Sequence, residues 1–352
     1  MRRSAVVDED VCQILLACQQ DFLKLAHKTL LLTGGSGFVG SYLIESVLAF
    51  NRENPSAPCR LLLPTRSVRD ARRKWPHFFE SINLHWFEWN GRVLNLPTSE
   101  SCHYVIHAAS PSDPVYYRDQ PLRAMEDIAF GTSAILDWVA GKDITNLLYV
   151  SSGAVYGDQA LDKSTLCELN NSAPDLSDMR ATYAEAKRYC EMLCRASKAP
   201  FSIARLFTFL GPYQDENGSF AVVDFLRQAK ADALIRINGD GLALRTYYYA
   251  SDLAISLWKI LLNGRRNEVY NVGGGQPVSI FELATLVADA IGNTQVIIEK
   301  KGDSQFRSRY IPSVRKLQEL YAAQIDLKDG IARVLRHRDY VKQVSHKDSD
   351  VV

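Results

Sequence analysis

Two kinds of hydrophobic pattern alternate along about the first 200 residues of the chain. Short, nearly continuous apolar runs predict buried strands at residues 29–33, 61–63, 104–107 and 146–151. Longer stretches in which apolar residues recur every three to four positions predict helices at residues 8–27, 38–50, 122–139 and 183–197. Strands that alternate with helices are typical of a parallel sheet with helices on both faces. The pattern therefore predicts an α/β fold with a doubly wound parallel sheet.

Beyond about residue 205 the pattern loosens into glycine-rich turns, which predicts a smaller α+β lobe. We divide the chain into an N-terminal helix (1–27), a sheet domain (28–205), the lobe (206–338) and a mobile polar tail (339–352). The boundary between sheet domain and lobe is soft, because the apolar run at 268–272 also suits a further strand of the main sheet. A cleft between two such parts is a common place for a ligand site.

The composition is that of an ordinary globular protein, and it excludes several classes. The chain of 352 residues has 41 lysines and arginines and 40 acidic residues. Its net charge is therefore too small to attract nucleic acid or an anionic membrane. No apolar run approaches the ~20 residues that span a bilayer, and the early acidic residues do not suit a signal peptide. The seven cysteines form no CxxC pair and the seven histidines no clustered ligand set. We therefore expect no metal site, and reduced thiols in the cytoplasm.

A glycine-rich loop with the sequence TGGSGFVG, at residues 33–40, joins the first predicted strand to a helix. Gly34, Gly37 and Gly40 allow a tight turn and a close approach to a pyrophosphate. The phosphates would then lie on the N–H groups at the start of the helix, those of Phe38 and Val39 included. We expect a dinucleotide here, against the alternative of a glycine-rich turn without a ligand.

The end of the second strand is where a dinucleotide-binding fold selects its cofactor. An acidic residue there would accept hydrogen bonds from the ribose 2′-hydroxyl of NAD. This chain instead has PTRS at 64–67, and its next acid is Asp70. Arg66 is suited to pair with the 2′-phosphate of NADP, helped by Ser67 or Arg69, although a solvated arginine would look the same. We therefore expect an NAD(P) cofactor, with NADP(H) favoured over NAD(H).

A serine, a tyrosine and a lysine have the spacing of an acid–base group. Ser152 ends a predicted strand, and Tyr183 and Lys187 lie four residues apart on one face of a predicted helix. A nearby ammonium favours the phenolate, so it should lower the pKa of the tyrosine and let it exchange a proton with an alcohol oxygen. The serine hydroxyl would hold the same oxygen. A YxxxK spacing alone is common by chance. After a glycine loop and a strand that ends in two serines, it is a specific indication of an acid–base site.

Together these motifs resemble the extended short-chain dehydrogenase/reductases, most of which modify nucleotide-linked sugars. The resemblance runs from about residue 28 to about 335 and is carried by the glycine loop and by segments 107–110, 151–157, 183–187, 205–213, 239–245 and 270–273. The stretch 107–117 is also similar to the sugar-nucleotide decarboxylase branch. The resemblance implies a Rossmann-type sheet, an NAD(P) cofactor, a nucleotide-sugar substrate and a homodimer. The dimer would form through helices 122–139 and 183–197, with candidate contacts at Met125, Ile135, Trp138 and Met192.

The resemblance also implies a role for each matching residue. Tyr183 would be the catalytic acid/base, and Ser152 would orient the reacting oxygen. Lys187 would hold the nicotinamide ribose and lower the pKa of the tyrosine. Further cofactor contacts would come from Ala108 and Ala109, beside Tyr183 and Lys187 themselves. The substrate would contact Ser110, Thr208 and Arg245, the last of which matches the position that usually meets the nucleotide diphosphate.

Departures from the family pattern narrow the expected chemistry. The 4,6-dehydratases carry Asp-Glu after the catalytic Ser/Thr, the decarboxylases carry a Glu at the second of these places, and the 3,5-epimerases need a cysteine in that loop. This chain has Gly153 and Ala154, which cannot move a proton. Thr208 replaces a common Asn, which leaves open how the substrate is held there. Ile128 replaces an Asn that often supports the catalytic lysine through water.

The sequence therefore predicts an enzyme that carries out NAD(P)-dependent oxidoreduction at a hydroxyl or keto carbon of a nucleotide-activated sugar, as a 4-ketoreductase or 4-epimerase. One alternative is a 4,6-dehydratase or decarboxylase with a non-standard acid/base, such as Glu168 or Asp158. Another alternative, of a different class, is a non-catalytic regulator that binds the cofactor. The presence of Ser152, Tyr183 and Lys187 together argues against this alternative, because a non-catalytic regulator does not need a tyrosine with an adjusted pKa.

Overall fold

The secondary structure is taken from a computed structural model, which describes residues 3–97, 99–111, 114–300 and 308–349, with side chains to residue 344. The strands are β1 (Thr29–Thr33), β2 (Arg60–Thr65), β3 (Leu84–Glu88), β4 (Tyr104–His107), β5 (Asn146–Ser152), β6 (Phe201–Leu206), β7 (Phe209–Leu210), β8 (Leu234–Ile237), β9 (Leu244–Thr246), β10 (Tyr248–Tyr249), β11 (Glu268–Val272), β12 (Pro277–Ser279), β13 (Gln295–Ile298) and β14 (Arg309–Tyr310). The helices are α1 (Ala5–Phe22), α2 (Phe38–Glu53), α3 (Val68–Lys74), α4 (Pro114–Asp119), α5 (Pro121–Val139), α6 (Thr182–Ala196), α7 (Ala221–Asp232), α8 (Ala250–Asn263), α9 (Ile280–Ile291), α10 (Arg315–Gln318) and α11 (Leu327–Ser349). Short 3-10 helices cover residues 23–25, 76–79, 153–156 and 179–181.

Seven of these strands form one parallel sheet, in the order β11-β6-β5-β4-β1-β2-β3. Leu30, Leu31 and Leu32 of β1 are all fully buried, because helices cover both faces of the sheet. One core lies between the sheet and helices α1, α2 and α8, and a second lies between the sheet and helices α5 and α6. The predicted α/β fold with a doubly wound parallel sheet is confirmed.

The carboxyl ends of the central strands meet at one edge of the sheet, and this edge gathers the functional motifs. Thr33, the last residue of β1, pairs in register with His107, the last residue of β4. Ser152 ends β5 beside Leu206, which ends β6. The loops that follow these strands therefore open into a common crevice, which is where doubly wound folds bind their ligands.

The residues after β6 build a lobe around a third core, formed by α7, α9 and α11 with several short strands. The chain also returns from this lobe to the main sheet. Helix α8 packs on the sheet, and β11 pairs in parallel with β6. The segment 268–272, for which the sequence left such a return open, is therefore a strand of the main sheet.

The two ends of the chain pack against each other. Helix α1 lies against α2 and α8, and its Asp10 is fully buried. The Asp10 carboxylate accepts hydrogen bonds of 2.9 Å from Tyr42, Tyr249 and Arg333, which come from α2, β10 and α11. The N-terminal helix is therefore tied to both the sheet domain and the lobe.

Helix α11 continues to Ser349, whereas the sequence predicts a mobile tail over 339–352. Its inner face places Ile331 and Val334 in the core of the lobe, and Asp339 forms an ion pair of 2.7 Å with Lys230 of α7. The helix thus extends into the predicted tail, and Asp339 ties the start of that segment to the lobe. None of the helices in the described part of the chain is long and apolar enough to cross a membrane.

Helices α5 and α6 pack side by side on the second face of the sheet. Ile135 and Trp138 point into the core beneath them and are only 1% and 9% exposed. They are buried by the chain itself, so the expectation that they contact a second copy is corrected. Met125 and Met192 lie on the outer face and are 37% and 61% exposed.

Candidate active site

The glycine loop passes so close to neighbouring backbone that it requires glycine. Gly34 has a φ of +76°, and a Cβ there would lie 2.8 Å from the backbone of Ala108 and Ala109. At Gly37 a Cβ would meet only the Gly34 carbonyl, at 3.2 Å, and would otherwise fill the open space before helix α2. Gly37 is the N-cap of that helix and provides no side-chain cap. The N–H groups of the first turn thus face open space, which fits a pyrophosphate.

Phe38 and Val39, whose N–H groups were expected to hold the phosphates, start helix α2, and the backbone and side chain of Phe38 have different surroundings. The N–H groups of Phe38 and Val39 belong to the first turn of α2, beside the open space at Gly37. The Phe38 ring instead stacks on Phe209 of the lobe, with ring centroids 5.1 Å apart. Only the backbone of Phe38 is therefore suited to a phosphate contact.

Two neighbouring elements fix the loop. The sequence analysis singled out segment 107–110, which lies on one side, but not Lys74 and Trp75, which lie on the other. The Ser36 carbonyl accepts hydrogen bonds from Trp75 Nε1 at 3.0 Å and from Lys74 Nζ at 3.1 Å. On the other side, Thr33 Oγ1 accepts from the Ala109 N–H at 3.0 Å and contacts His107 Nδ1 at 2.7 Å. The roles of Lys74 and Trp75 do not appear as a sequence motif, because both residues lie far along the chain from the Ser36 carbonyl that they contact.

His107 is a buried structural residue behind the cofactor crevice. Its Nε2 lies 3.1 Å from Thr132 Oγ1 on α5, so both ring nitrogens have a hydroxyl partner. Complete burial, with a smaller contribution from the nearby Lys187, lowers the pKa of His107 to about 3. The imidazole is therefore neutral and links β1, β4 and α5 without a charge.

Arg66 follows β2 on the outer rim of the crevice and is exposed. No described residue forms a salt bridge with it. Burial and the hydrogen bond to Asp127 raise the pKa of the nearby Tyr116 on α4, and the positive charge of Arg66 opposes that rise. Ser67 is the N-cap of α3, where its Oγ accepts from the Asp70 N–H at 3.1 Å. The guanidinium is available for an anion, and the Ser67 hydroxyl retains its proton as a second donor.

Ser152, Tyr183 and Lys187 come together where β5 ends beside α6. Ser152 Oγ accepts a hydrogen bond of 3.1 Å from the Ala154 N–H and so caps the short helix 153–156. Tyr183 lies in the first turn of α6, and Lys187 lies one turn later. Lys187 Nζ donates to the Val150 carbonyl at 2.8 Å and is 5.9 Å from the centroid of the Tyr183 ring.

The protonation of this group differs from the sequence expectation. Burial raises the pKa of Tyr183 to about 12, and hydrogen bonding to Ser152 opposes the rise. Burial also lowers the pKa of Lys187 to about 8. The predicted lowering of the Tyr183 pKa by the ammonium is therefore corrected for this structure. Tyr117 of α4 stacks on the Tyr183 ring, with centroids 4.6 Å apart, and helps to keep water away from the phenol.

The surroundings of Lys187 also differ from the family pattern, in which an Asn at the position of Ile128 often supports the catalytic lysine through water. Ile128 is 2% exposed, and its carbonyl accepts from Thr132 Oγ1 at 2.9 Å and from Cys190 Sγ at 3.4 Å. The Tyr149 ring covers the ammonium from a distance of 5.0 Å. An apolar and aromatic wall thus replaces the amide, which explains why burial dominates the pKa of Lys187.

The space beside Gly153 is filled. A Cβ at Gly153 would lie 2.6 Å from the hydroxyl of Tyr310 and 2.7 Å from the ring of Phe207. Glu168 accepts a hydrogen bond of 2.9 Å from the Asn271 N–H. The charge of Asp158 raises the pKa of Arg245 and does not contribute to the pKa of Tyr183. Among the described residues, the alternative acid/base groups are thus engaged away from the phenol of Tyr183.

The predicted substrate residues line the lobe side and the loop after β4. Arg245 donates to the carbonyls of Leu244 at 2.8 Å and Ser308 at 3.2 Å and to Ser308 Oγ at 3.0 Å. Burial lowers its pKa, and no acidic residue in the described ranges pairs with it. Its guanidinium therefore has no salt-bridge partner among the described residues, although the charge of Asp158 acts on it through space, and it is suited to bind an anion.

The other two substrate candidates show only local contacts. Ser110 Oγ donates to the Pro111 carbonyl at 3.1 Å, and the Thr208 carbonyl accepts from the Tyr248 N–H at 3.0 Å. Both residues are half-buried at the crevice. Among the described residues, no three His, Cys, Asp or Glu side chains gather as a metal ion would need.

Known proteins resemble this chain in sequence and in fold. The model of the NAD dependent epimerase/dehydratase family matches residues 30–273. The chain is 26% identical to UDP-glucuronic acid decarboxylase 1 of Xenopus tropicalis, over 91% of this chain and 74% of the relative. Among solved structures it resembles a UDP-N-acetylglucosamine 4-epimerase from Methanobrevibacter ruminantium (TM-score 0.75, 19% identity, 90% of this chain and 99% of that one). It also resembles a dTDP-glucose 4,6-dehydratase from Streptomyces venezuelae (TM-score 0.74, 23% identity, 89% and 97%). At these identities the two structures establish the shared fold.

Proposed function

The chain belongs to the NAD dependent epimerase/dehydratase family, and we propose that it carries out oxidoreduction at a hydroxyl or keto carbon of a nucleotide-activated sugar, as a 4-ketoreductase or 4-epimerase. One observation carries this proposal. Gly153 and Ala154 follow Ser152, and Tyr310 and Phe207 fill the space that a side chain at 153 would need. The proton chemistry is therefore assigned to Tyr183 without a neighbouring carboxylate.

We assign the cofactor to the crevice at the carboxyl edge of the sheet. The N–H groups that follow Gly37 would hold its pyrophosphate, beside Ala108 and Ala109, and Arg66 would pair with a 2′-phosphate. NADP(H) is favoured over NAD(H) because an arginine stands where NAD would meet an acid. When bound, the nicotinamide supplies or accepts the hydride.

The residues of the chain would then handle the sugar and its proton. During oxidation the deprotonated form of Tyr183 takes the proton of the sugar hydroxyl, and during reduction the protonated form returns a proton to the oxygen. Ser152 donates to the same oxygen, and Lys187 holds the nicotinamide ribose. Arg245 supplies the charge for the diphosphate, with Ser110 and Thr208 on the substrate side of the crevice.

A decarboxylase is the second candidate, because the curated relatives carry that name. In such a reaction a 4-keto uronic acid releases carbon dioxide from C5, and C5 must then take up a proton. The chain would need a group that delivers this proton, and Gly153 and Ala154 do not provide one. The oxidoreductase without carbon loss therefore has the stronger support.

The test is turnover of sugar nucleotides in deuterium oxide. The purified protein is mixed with UDP-, CDP-, GDP- and dTDP-sugars and NAD or NADP to test epimerisation. It is mixed with the corresponding 4-keto sugars and NADH or NADPH to test reduction, and products are identified by mass and NMR. We expect an epimer or a reduced sugar that keeps hydrogen at C5. Deuterium at C5 together with loss of water or carbon dioxide would replace this proposal by a dehydratase or a decarboxylase. Cofactor binding without turnover of any sugar would favour the regulator.

We also propose that two copies pair through helices α5 and α6. The outer face of these helices exposes large apolar side chains, namely Leu122, Met125, Phe130, Tyr189 and Met192. Exposed apolar side chains concentrated on one face are typical of an interface between protein chains. A pair of adjacent helices on each copy would form a four-helix interface.

A further inference from the structure

His107 holds a nearly solvent-free position at the end of β4. It stands in register with Thr33, the last residue of β1, and is 3% exposed. Thr33 Oγ1 lies 2.7 Å from Nδ1 of the ring, and Thr132 Oγ1 of α5 lies 3.1 Å from Nε2. Both threonines are buried as well. Each proton in this group therefore needs an acceptor within the protein.

The proton of Thr132 decides which nitrogen of the imidazole carries a hydrogen. The Thr132 hydroxyl donates to the carbonyl of Ile128, one turn earlier on α5, at 2.9 Å. A hydroxyl has one proton, so Thr132 Oγ1 can only accept from His107, and Nε2 must carry the hydrogen. Because the ring is neutral, Nδ1 then has a lone pair and accepts from the Thr33 hydroxyl. Thr33 Oγ1 in turn accepts the Ala109 N–H at 3.0 Å.

The opposite tautomer leaves a buried proton without an acceptor. With the hydrogen on Nδ1, Thr33 Oγ1 would accept from both His107 and Ala109, and the described residues show no other hydrogen bond that would take the Thr33 proton. An imidazolium would create the same shortage. A buried polar group left unpaired costs more than one hydrogen bond contributes. The bonds therefore run in one direction, from the Ala109 N–H through Thr33, His107 and Thr132 to the carbonyl of Ile128.

The first donor of this chain lies at the wall of the cofactor crevice. A Cβ at Gly34 would lie 2.8 Å from the carbonyl carbon of Ala108 and from the nitrogen of Ala109, the same nitrogen that donates to Thr33. The Gly34 carbonyl accepts the Gly37 N–H at 3.0 Å, and Gly37 is the N-cap of helix α2. Because atoms packed this closely leave no slack, a shift of Ala109 carries through Gly34 to the helix start assigned to the pyrophosphate.

We propose that His107 is a positioning residue for the cofactor crevice. As the Nε2–H tautomer it turns the Thr33 hydroxyl so that Oγ1 receives the Ala109 N–H and holds the wall of residues 108 and 109 against Gly34. The Ala109 N–H is then already used within the protein, and the phosphates must take their N–H donors from helix α2. The inference rests on the proposed function only for the identity of the ligand as NAD(P).

The direct measurement is the tautomer of His107, by ¹⁵N NMR of protein labelled in histidine, with the His107 signals assigned by their loss in His107→Gln. The titratable groups around the ring and its partners are Lys187 and Cys190 on α6 and Tyr149 on β5. None is negatively charged at neutral pH, because burial raises the pKa of the thiol and of the phenol. We therefore expect a neutral ring with its hydrogen on Nε2 between about pH 6 and 9. A hydrogen on Nδ1, or an imidazolium at neutral pH, would overturn the proposal.

Two replacements of His107 keep opposite halves of the ring. In His107→Asn the amide oxygen lies near the place of Nδ1 and still accepts from Thr33, but the bond to Thr132 is lost. In His107→Gln the amide nitrogen reaches the place of Nε2 and still donates to Thr132, but the Thr33 hydroxyl loses its acceptor and is free to turn away from Ala109. Calorimetric titration with NAD and NADP should give an affinity within about 2-fold of wild type for His107→Asn and about 3- to 10-fold weaker for His107→Gln, the size of one neutral hydrogen bond. Thr33→Val, which removes the hydroxyl, should weaken binding at least as much as His107→Gln.

His337→Gln is the matched control. His337 is also a buried histidine, and its Nδ1 lies 2.8 Å from Ser4 Oγ at the packed ends of the chain. It should lower the urea midpoint as His107→Gln does and leave the cofactor affinity unchanged. Wild-type cofactor affinity in His107→Gln, or an equal loss in His107→Asn and His107→Gln, would overturn the proposal.

The two measurements also separate this inference from the proposed function. A wild type that shows the Nε2–H tautomer but binds neither NAD nor NADP would refute the proposed function and, with it, the role of His107 toward the cofactor. A hydrogen on Nδ1 in a protein that binds the cofactor would refute this inference alone.

Discussion

The Lys187 ammonium donates to the carbonyl of Val150 at 2.8 Å, in a pocket where burial outweighs every favourable contact. Its pKa falls from 10.5 to about 8 for that reason. A lysine held in this way destabilises the fold as long as it is charged. It is therefore a residue whose position serves the site rather than the stability of the protein.

Lys187→Met should stabilise the protein near neutral pH. The folded pKa of about 8 lies below the unfolded value, so the cost is present in full below about pH 8. Between pH 8 and 10.5 the unfolded chain binds more protons, and wild-type stability rises toward that of the variant. We expect a gain of roughly 2–4 kcal/mol at pH 7 that shrinks toward pH 10.5, measured by urea unfolding. Lys328→Met, at an exposed site, should show no such pH dependence.

Tyr183→Phe should abolish hydride transfer while leaving cofactor affinity nearly intact. The ring still packs against Tyr117, and only the proton donor is lost. The rate should fall by about 100-fold or more, the contribution of one general acid/base. Ser152→Ala should be milder, because water can partly replace an orienting hydroxyl. Single-turnover nicotinamide absorbance gives the rates and a binding titration gives the affinities. Hydride transfer at the wild-type rate in Tyr183→Phe would remove it from the mechanism.

Arg66→Ala should weaken NADP(H) by about 10- to 100-fold and NAD(H) much less, because only the former brings a phosphate to the guanidinium. Calorimetric titration of both cofactors measures the difference. Arg73→Ala is the matched control, since Arg73 is exposed on α3 and pairs with Asp70 at 3.2 Å. An equal loss for both cofactors would withdraw Arg66 from the 2′-phosphate.

A charge on the outer face of α6 should separate the proposed dimer. Met192→Glu should give the mass of one chain in light scattering at concentrations where the wild type gives twice that mass, because the carboxylate would be buried without a partner. Ile82→Glu, at a residue 88% exposed far from these helices in sequence, is the control and should leave the mass unchanged. A wild type with the mass of one chain would refute the pairing.

The sequence pattern predicted strands β1, β2, β4 and β5 of the main sheet and missed β3 and β6, in which polar residues interrupt the apolar run. The predicted strands at 29–33 and 104–107 coincide with β1 and β4, which are central and buried on both faces. Strand β3 at the edge has the burial pattern of a half-exposed strand, and its polar residues hid it. The pattern detects uninterrupted apolar runs, so a strand that contains polar residues gives little signal, at the edge of the sheet (β3) or inside it (β6).

The candidate site was predictable as far as its residues lie in local motifs. The glycine loop, Ser152, Tyr183 and Lys187 each sit at the end of an element that the pattern located, so their convergence followed from the topology. Tyr310 was not predictable, because its place depends on the pairing of β14 with β9 and on the space at Gly153. The pKa values were not predictable either, since they depend on burial by residues such as Tyr117.

The contacts between the two ends of the chain set an order for folding during synthesis. Asp10 pairs with Arg333 of α11, and Ser4 Oγ lies 2.8 Å from Nδ1 of His337, also on α11. Helix α1 can therefore form these contacts only after α11 has been synthesised and has left the ribosome. Until then the partners of Asp10 within the described residues are the tyrosines of α2 and β10. Nascent chains stalled before residue 327 should therefore expose α1 to protease, whereas chains released at full length should protect it.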